Sequence, residues 1–228
     1  MSYLTGAATK KITNTPDDEV RLAYFGRLSY SYDSKYYFQA TFRRDACDMS
    51  KLSKTARWGN FPSFSAGWTL SNENFIRENI SEDVLSFLKV RASWGRNGNV
   101  SNLEKWQWTS VASKNAGFYQ NNPNAADGNI WSSTKPNQLA NPNLKWETLE
   151  QIDLGLDARF FNNRLSFTFD YFNKTTHDLI LPVPRLAETG YISGWGNAGK
   201  IVNSGLEFEV GWRDRIGELK YDIKTNFS

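Results

Sequence analysis

The feature that most constrains this chain is a side-chain alternation of period two, kept up over runs longer than ordinary globular strands. From Trp146 to Phe160, Ile152, Leu154, Leu156, Ala158 and Phe160 alternate with Gln151, Asp153, Gly155, Asp157 and Arg159. Side chains of an extended chain point to opposite faces in turn, so the run is a strand with one apolar and one polar face. A helix would scatter the same residues around its axis.

The pattern recurs along the chain. In Arg21 to Tyr32, Leu22, Tyr24, Leu28 and Tyr30 share one face, and Tyr36, Phe38, Ala40 and Phe42 share a face after Asp33-Ser34. Trp58 to Trp68 follows, then Leu88 to Gly95, where Leu88, Val90, Ala92 and Trp94 oppose Lys89, Arg91 and Ser93. Beyond Asn162-Asn163, Arg164 to Thr175 carries Leu165, Phe167, Phe169 and Tyr171 on one side, and the alternation returns around Leu206 to Trp212 and Leu219 to Phe227. The expected fold is all-β, with about eight antiparallel up-and-down strands joined in part by tight hairpins.

Most of these runs reach the roughly 9 to 11 tilted residues that cross a bilayer's hydrocarbon layer. A soluble sandwich shows the same alternation, so the connections carry the next step. Asp33-Ser34, Asn162-Asn163 and Arg213 to Glu218 are short, whereas Asp45 to Arg57, Arg96 to Lys145 and Thr176 to Lys200 are long. Short turns on the periplasmic side and long loops outside suit a transmembrane β-barrel. Thr69 to Phe87 is the one long connection on the short side, and Ser81 with Glu82 and Asp83 predicts a short periplasmic helix near 79–87.

Aromatic residues make up 15% of the chain, with nine Trp, more than a core of this size needs, and such rings collect at membrane interfaces. Trp58, Trp68, Trp94, Trp146 and Trp212 stand near strand ends, as interfacial girdles require. The net charge of +3 projects no field that would draw nucleic acid. Cys47 is the only cysteine, which excludes an internal disulfide and a thiolate metal cluster. No apolar run reaches the length of a membrane helix, and the start lacks the order of a signal peptide. With the strand pattern, that start is read as the interior of a longer exported protein.

Several segments resemble the SusC/RagA-type branch of the TonB-dependent outer-membrane transporters. They are Arg57-Trp58-Gly59-Asn60-Phe61-Pro62-Ser63-Phe64-Ser65-Ala66-Gly67-Trp68, Glu73-Asn74-Phe75, Phe87 to Asn99, Asn141-Pro142-Asn143-Leu144-Lys145-Trp146-Glu147, Asp170-Tyr171-Phe172-Asn173-Lys174-Thr175 and Asn203-Ser204-Gly205-Leu206-Glu207. The resemblance implies a barrel of about twenty-two strands, of which residues 1–228 are a partial domain from the C-terminal half, without plug, TonB-binding box or signal sequence. It implies import of oligosaccharides or peptides, a SusD-like surface lipoprotein as lid, TonB acting through the N-terminal part of the full-length protein, and an outer-membrane location. No enzyme activity and no cofactor are expected.

Trp106, Trp108, Tyr119 and Trp131 in one long loop, and Tyr191 and Trp195 in the next, offer flat rings that suit a sugar face; packing the loops together is the alternative. Glu207 and Glu209 share a strand face, but a glycosidase needs its carboxylate pair in a formed cleft. His177 is a lone imidazole beside Asp178, with no partners for a metal. Asn97-Gly98-Asn99 and residues 194–199 lack the strand, Lys and helix context of a phosphate cradle. Two other readings stand beside the transporter: a secreted soluble all-β carbohydrate-binding domain, and a small closed eight-stranded barrel.

Overall fold

The computed structural model describes residues 18–110, 112–114, 134–136, 138–184 and 193–228, and in short segments of these the backbone alone. Its strands are β1 (Leu22–Tyr32), β2 (Tyr36–Ala46), β3 (Trp58–Thr69), β4 (Leu85–Asn99), β5 (Ala112–Lys114), β6 (Thr134–Pro136), β7 (Glu147–Phe160), β8 (Leu165–His177), β9 (Ile180–Pro184), β10 (Ser193–Asn197), β11 (Lys200–Ile216) and β12 (Leu219–Phe227). Eight of them form one sheet in the order β1-β2-β3-β4-β7-β8-β11-β12, every neighbouring pair antiparallel. The sheet is open, with β1 and β12 at its edges. The short ladders β5–β6 and β9–β10 lie in the long connections.

Local chemistry explains the hairpins. Asp33 and Ser34 both take φ 51°, and Asn162 and Asn163 take φ 56° and 65°. Such left-handed residues let a tight turn follow the twist of its strands, and Asn and Asp tolerate that region best among non-glycines. Gly217, at φ 63°, performs the same service between β11 and β12. These turns and the 70–84 connection gather at one end of the sheet, the turn end; the described parts of the three long connections gather at the other, the loop end.

The expected helix near 79–87 is not formed. A four-residue helix, α1 (Asn74–Arg77), stands earlier, behind a 3-10 turn at Leu70–Asn72. Ser81 does cap, since its hydroxyl accepts the Asp83 N–H at 3.3 Å, but only one turn follows. Leu85 is already paired with Phe160, and Ser86 sits at a register shift between Leu85 and Phe87, its hydroxyl accepting the Asn163 N–H at 3.1 Å. Pairing with β7 claims the backbone that the helix would have used.

The register puts the alternating rows on the two faces as the sequence implies. One face is apolar from strand to strand, with Phe64 stacked on Trp94 at 5.9 Å and Phe169 tilted against Phe208 at 5.0 Å. Cross-strand aromatic pairs of this kind contribute about 0.2–1 kcal/mol each. No second layer of described protein covers this face: Ile152 is 41% exposed and Leu154 48% exposed, although both lie in a central strand. At the turn end Tyr36 stacks on Tyr32 and on Trp68. Glu73 accepts the Tyr36 hydroxyl at 2.6 Å and the Trp68 indole N–H at 2.9 Å, and the Tyr36 bond first of all holds its carboxyl below the usual range.

The other face is polar and internally paired. Arg91 donates to Asp157 at 3.0 Å and to Asp170 at 2.7 Å, Ser93 donates to Asp153 at 3.0 Å, and Lys89 lies over the Tyr37 ring at 4.7 Å. Gly155 makes the arrangement possible, because a Cβ there would sit 2.5 Å from the guanidinium carbon of Arg91. A groove of about 430 Å³ runs along this face past Gln39, Lys89, Arg91, Asp153 and Gly155.

The dry core lies at the loop end. Cys47, Leu52, Val100, Leu103, Leu144 and Ile180 pack together, joined by the half-buried Ala56, Trp108, Trp146 and Trp195. They come from all three long connections or from the strand ends beside them.

Candidate ligand-facing loop end

The segment Asn141 to Glu147 is the centre of the loop end, and nearly every residue in it has a task. Asn141 Nδ2 donates to the Trp195 carbonyl at 2.9 Å, and the Pro142 carbonyl accepts the Ser53 hydroxyl at 2.7 Å. Leu144 is wholly enclosed. Lys145 pairs with Asp178 at 2.8 Å, and its backbone N–H and carbonyl both bond the Asn197 side chain. Trp146 donates its indole N–H to the Arg57 carbonyl at 3.1 Å and meets Phe61 edge-on at 5.5 Å.

Glu147 is the buried charge of the site. One oxygen accepts the Ile180 N–H at 2.9 Å, and the other accepts the Asn99 side-chain amide at 2.9 Å, with Asn102 donating to both at 3.3–3.4 Å. A buried carboxylate is tolerated where donors surround it. Through this one side chain the end of β4, the start of β7 and the start of β9 are tied together.

The first long connection joins through its backbone. The Trp106 N–H donates to the Ser50 carbonyl at 2.6 Å, the Trp108 indole donates to the Met49 carbonyl at 2.9 Å, and Lys51 Nζ bonds the Leu103 carbonyl. Ser50 N–H donates to Asp48 at 2.8 Å, which lowers that carboxyl's pKa. Cys47 lies in the dry cluster, and burial pushes its thiol up to about 11. It is therefore a packed thiol and not an activated one.

The aromatic residues singled out in the sequence separate into groups. Trp108 and Trp195 pack against the buried cluster. Trp106 stands 48% exposed with φ 67°, an unusual backbone for a bulky residue, held by Ser50 on its N–H and by Gln138 Nε2 on its carbonyl at 3.2 Å. Tyr119, Trp131 and Tyr191 lie outside the described residues. Of the girdle candidates, Trp58, Trp68, Trp94 and Trp212 lie on the apolar face, whereas Trp146 joins the loop packing. His177 closes β8 opposite Lys200, and Glu209 lies 3.9 Å from Lys224 on the polar face. Among the described residues no group of three or more His, Cys, Asp or Glu is placed to hold a metal ion.

Sequence reasoning gave Glu147 no role beyond a motif position and did not place Cys47 in a buried cluster. An isolated Glu at the head of a strand carries no periodic signal, and its three donors come from positions far apart in the chain.

The sequence of this open antiparallel wall matches the family "TonB dependent receptor-like, beta-barrel" over residues 2–228 of the chain. The chain belongs to that family. Among curated relatives, the TonB-dependent receptor P3 of Formosa agariphila is 34% identical over 224 residues, covering 98% of this chain and 21% of that protein. The TonB-dependent receptor SusC of Bacteroides thetaiotaomicron is 33% identical over 211 residues, covering 90% of this chain and 20% of that protein. The chain thus spans about a fifth of the length of these relatives. The solved RagAB peptide transporter superposes with a TM-score of 0.70 at 25% identity, covering 90% of this chain and 22% of that one. The SusC/RagA resemblance of the sequence motifs is thereby upheld.

Proposed function

We propose that this chain is a wall section and three mouth loops of an outer-membrane, TonB-dependent importer of oligosaccharides or peptides. A SusD-like surface lipoprotein closes over its loop end, and TonB acts through the N-terminal part of the full-length protein. The observation that carries this reading is the apolar face, uncovered even at Ile152 and Leu154 in the middle of the sheet. Acyl chains are the solvent such a face requires, and the polar face then lines the lumen. The RagAB peptide transporter, as that protein is named, supports the transport role and a peptide cargo, and the oligosaccharide alternative rests on the SusC/RagA resemblance of the motifs.

The loops outside form a preorganised platform. Trp106 is the described aromatic that this platform presents outward, and Trp108 and Trp195 support it from within; Tyr119 and Trp131 complete the set of ring candidates. The chain's work is binding and passage, with force supplied by TonB, and no covalent step is assigned to it.

The test is uptake of fluorescent oligosaccharides and peptides by cells that depend on the full gene. Trp106→Ala is expected to weaken uptake affinity about threefold to tenfold, the worth of one stacking contact, at unchanged protein level in the outer-membrane fraction. Recovery of the protein in the soluble fraction, or uptake of neither cargo class, would sink the reading.

A further inference from the structure

The polar face holds a second groove, nearer the turn end. It runs from β4 across β7, β8 and β11 to β12, has a volume of about 480 Å³, and its lining carries five basic and three acidic side chains. Small groups make its floor: Ser166 and Thr168 on β8, and Gly211 on β11 opposite Ser166. Gly211 keeps that floor low, because a Cβ there would sit 2.5 Å from the Ser166 hydroxyl oxygen.

The three carboxylates are engaged within the protein. Asp157 accepts from Arg91 at 3.0 Å, Asp222 accepts from Arg213 at 2.9 and 2.7 Å, and Glu209 lies 3.9 Å from Lys224. Arg159 and Lys89 are left over. Neither has a carboxylate partner or a side-chain hydrogen bond among the described residues; the Arg159 guanidinium lies over the Phe87 ring at 5.2 Å, and the Lys89 ammonium over the Tyr37 ring at 4.7 Å. A ring face holds a cation in place without neutralising it. The two cations stand on neighbouring strands, Arg159 opposite Phe87 and Lys89 opposite Asp157, and both line this one groove.

We infer that the groove takes a carboxylate of the cargo on its way out of the lumen, with Arg159 as the principal contact and Lys89 as the second. The inference rests on the importer reading above and narrows its cargo to acidic oligosaccharides or acidic peptides. A guanidinium meets a carboxylate through two parallel N–H bonds, and the Ser166 and Thr168 hydroxyls offer donors and acceptors to the polar groups beside it. Neutral cargo leaves both cations unmatched in a groove whose own carboxylates are taken. Arg159 is exposed, so the pairing is weak and screened by salt. Weakness suits a site that must let go of what it binds.

The test gives cells that carry the full gene two matched pairs of fluorescent cargo: an oligogalacturonide with its methyl ester, and a C-terminally amidated glutamyl peptide with its glutaminyl counterpart. In at least one pair the acid is expected to be taken up at lower KM than its neutral counterpart, and the pair that responds tells which polymer carries the carboxylate. Arg159→Gln raises the KM of that acid about threefold to fivefold, the worth of one exposed charge pair, and leaves the neutral form unchanged. Arg159→Lys retains most of the preference, and Lys89→Gln lowers it less than Arg159→Gln does. Glu209→Gln acts in the opposite direction by removing a like charge from the groove, and Arg43→Gln, on a cation already paired with Asp45 at 2.7 Å, changes nothing. No preference for the acid in either pair overturns the proposal. So does an Arg159→Gln effect that is equal on acid and neutral cargo, which would seat the N-terminal part of the full-length protein in the groove instead. Uptake of neither polymer in any form sinks the importer reading itself, whereas uptake without regard to the carboxylate sinks only this inference.

Discussion

Leu144 and Leu154 are close in the chain and opposite in surroundings. Leu144 is wholly enclosed at the loop end, while Leu154 stands 48% exposed in a central strand of the sheet. Among the described residues the fully enclosed leucines lie in the loops, whereas the middle of the regular sheet leaves its apolar face uncovered. The usual expectation, that strands pack and loops are solvated, is inverted here, and the membrane-wall reading proposed above accounts for it by giving the sheet's apolar face a solvent other than water. Hydrophobicity alone therefore does not say where a core is; the medium on each face must be decided first.

The contrast breaks most readily at Glu147. Glu147→Ala leaves the Asn99 amide and the Ile180 N–H without their acceptor in a buried setting and is expected to cost the loop end about 2–6 kcal/mol, at about 1–3 for each donor left unsatisfied, read as lost hydrogen-exchange protection in the loops of the detergent-solubilised protein. Leu144→Ala should cost about 2–5 kcal/mol by opening a cavity. Leu154→Ala, whose gap lipid or detergent fills, should cost clearly less. Equal costs at the two leucines would end the contrast.

A charge tests the sheet from the other side. Leu154→Arg is expected to destabilise the bilayer-inserted protein by about 2–4 kcal/mol, measured by denaturant unfolding in vesicles. Gln151→Arg, on the polar face beside Asp153, should stay within about 1 kcal/mol. A silent Leu154→Arg would mean that the apolar face does not meet lipid.

Cys47 gives the loop cluster its own titration. Its thiol is pushed up to about 11, from an ordinary value of 9.0, so the folded loops hold a proton that the opened loops release first. The resulting stability is intact below pH 9 and is lost as pH rises through about 11, visible as faster thiol labelling of the native protein than ionisation alone gives. The smallest effect is at Glu73, whose lowered pKa comes first from the Tyr36 hydroxyl bond. Its contribution is present above the ordinary carboxylate value and is lost as pH falls through the lowered one, and Trp68 fluorescence should report the change. Glu73→Gln should remove that response and leave the loop end untouched.

The strands were legible because alternation survives in any medium: Leu154 and Asp153 announce their two faces whether the outer solvent is water or lipid. The tight turns were legible through Asp33-Ser34 and Asn162-Asn163, where residue type and backbone requirement coincide. The stretch 79–87 misled because Ser81, Glu82 and Asp83 make a sound helix start, whereas the pairing of Leu85 with Phe160 depends on a strand more than seventy positions away. The loop end was legible only in outline. Asn141 to Glu147 stood out as a family motif, but its meaning lies in bonds to Ser53, Asp178 and Asn197, which no local pattern encodes. Trp108 and Trp195 illustrate the same limit: a loop tryptophan looks alike in sequence whether it supports a surface or forms one.

The carboxylate of Glu147 joins three chain segments at one point, and a joint of that kind has a mechanical consequence. A force on the end of β4, the start of β7 or the start of β9 is shared with the other two through that one side chain. On the importer reading proposed above, a lid seated on this rim would meet these three strand ends as one piece, and the give needed for cargo to pass would lie elsewhere than at this joint.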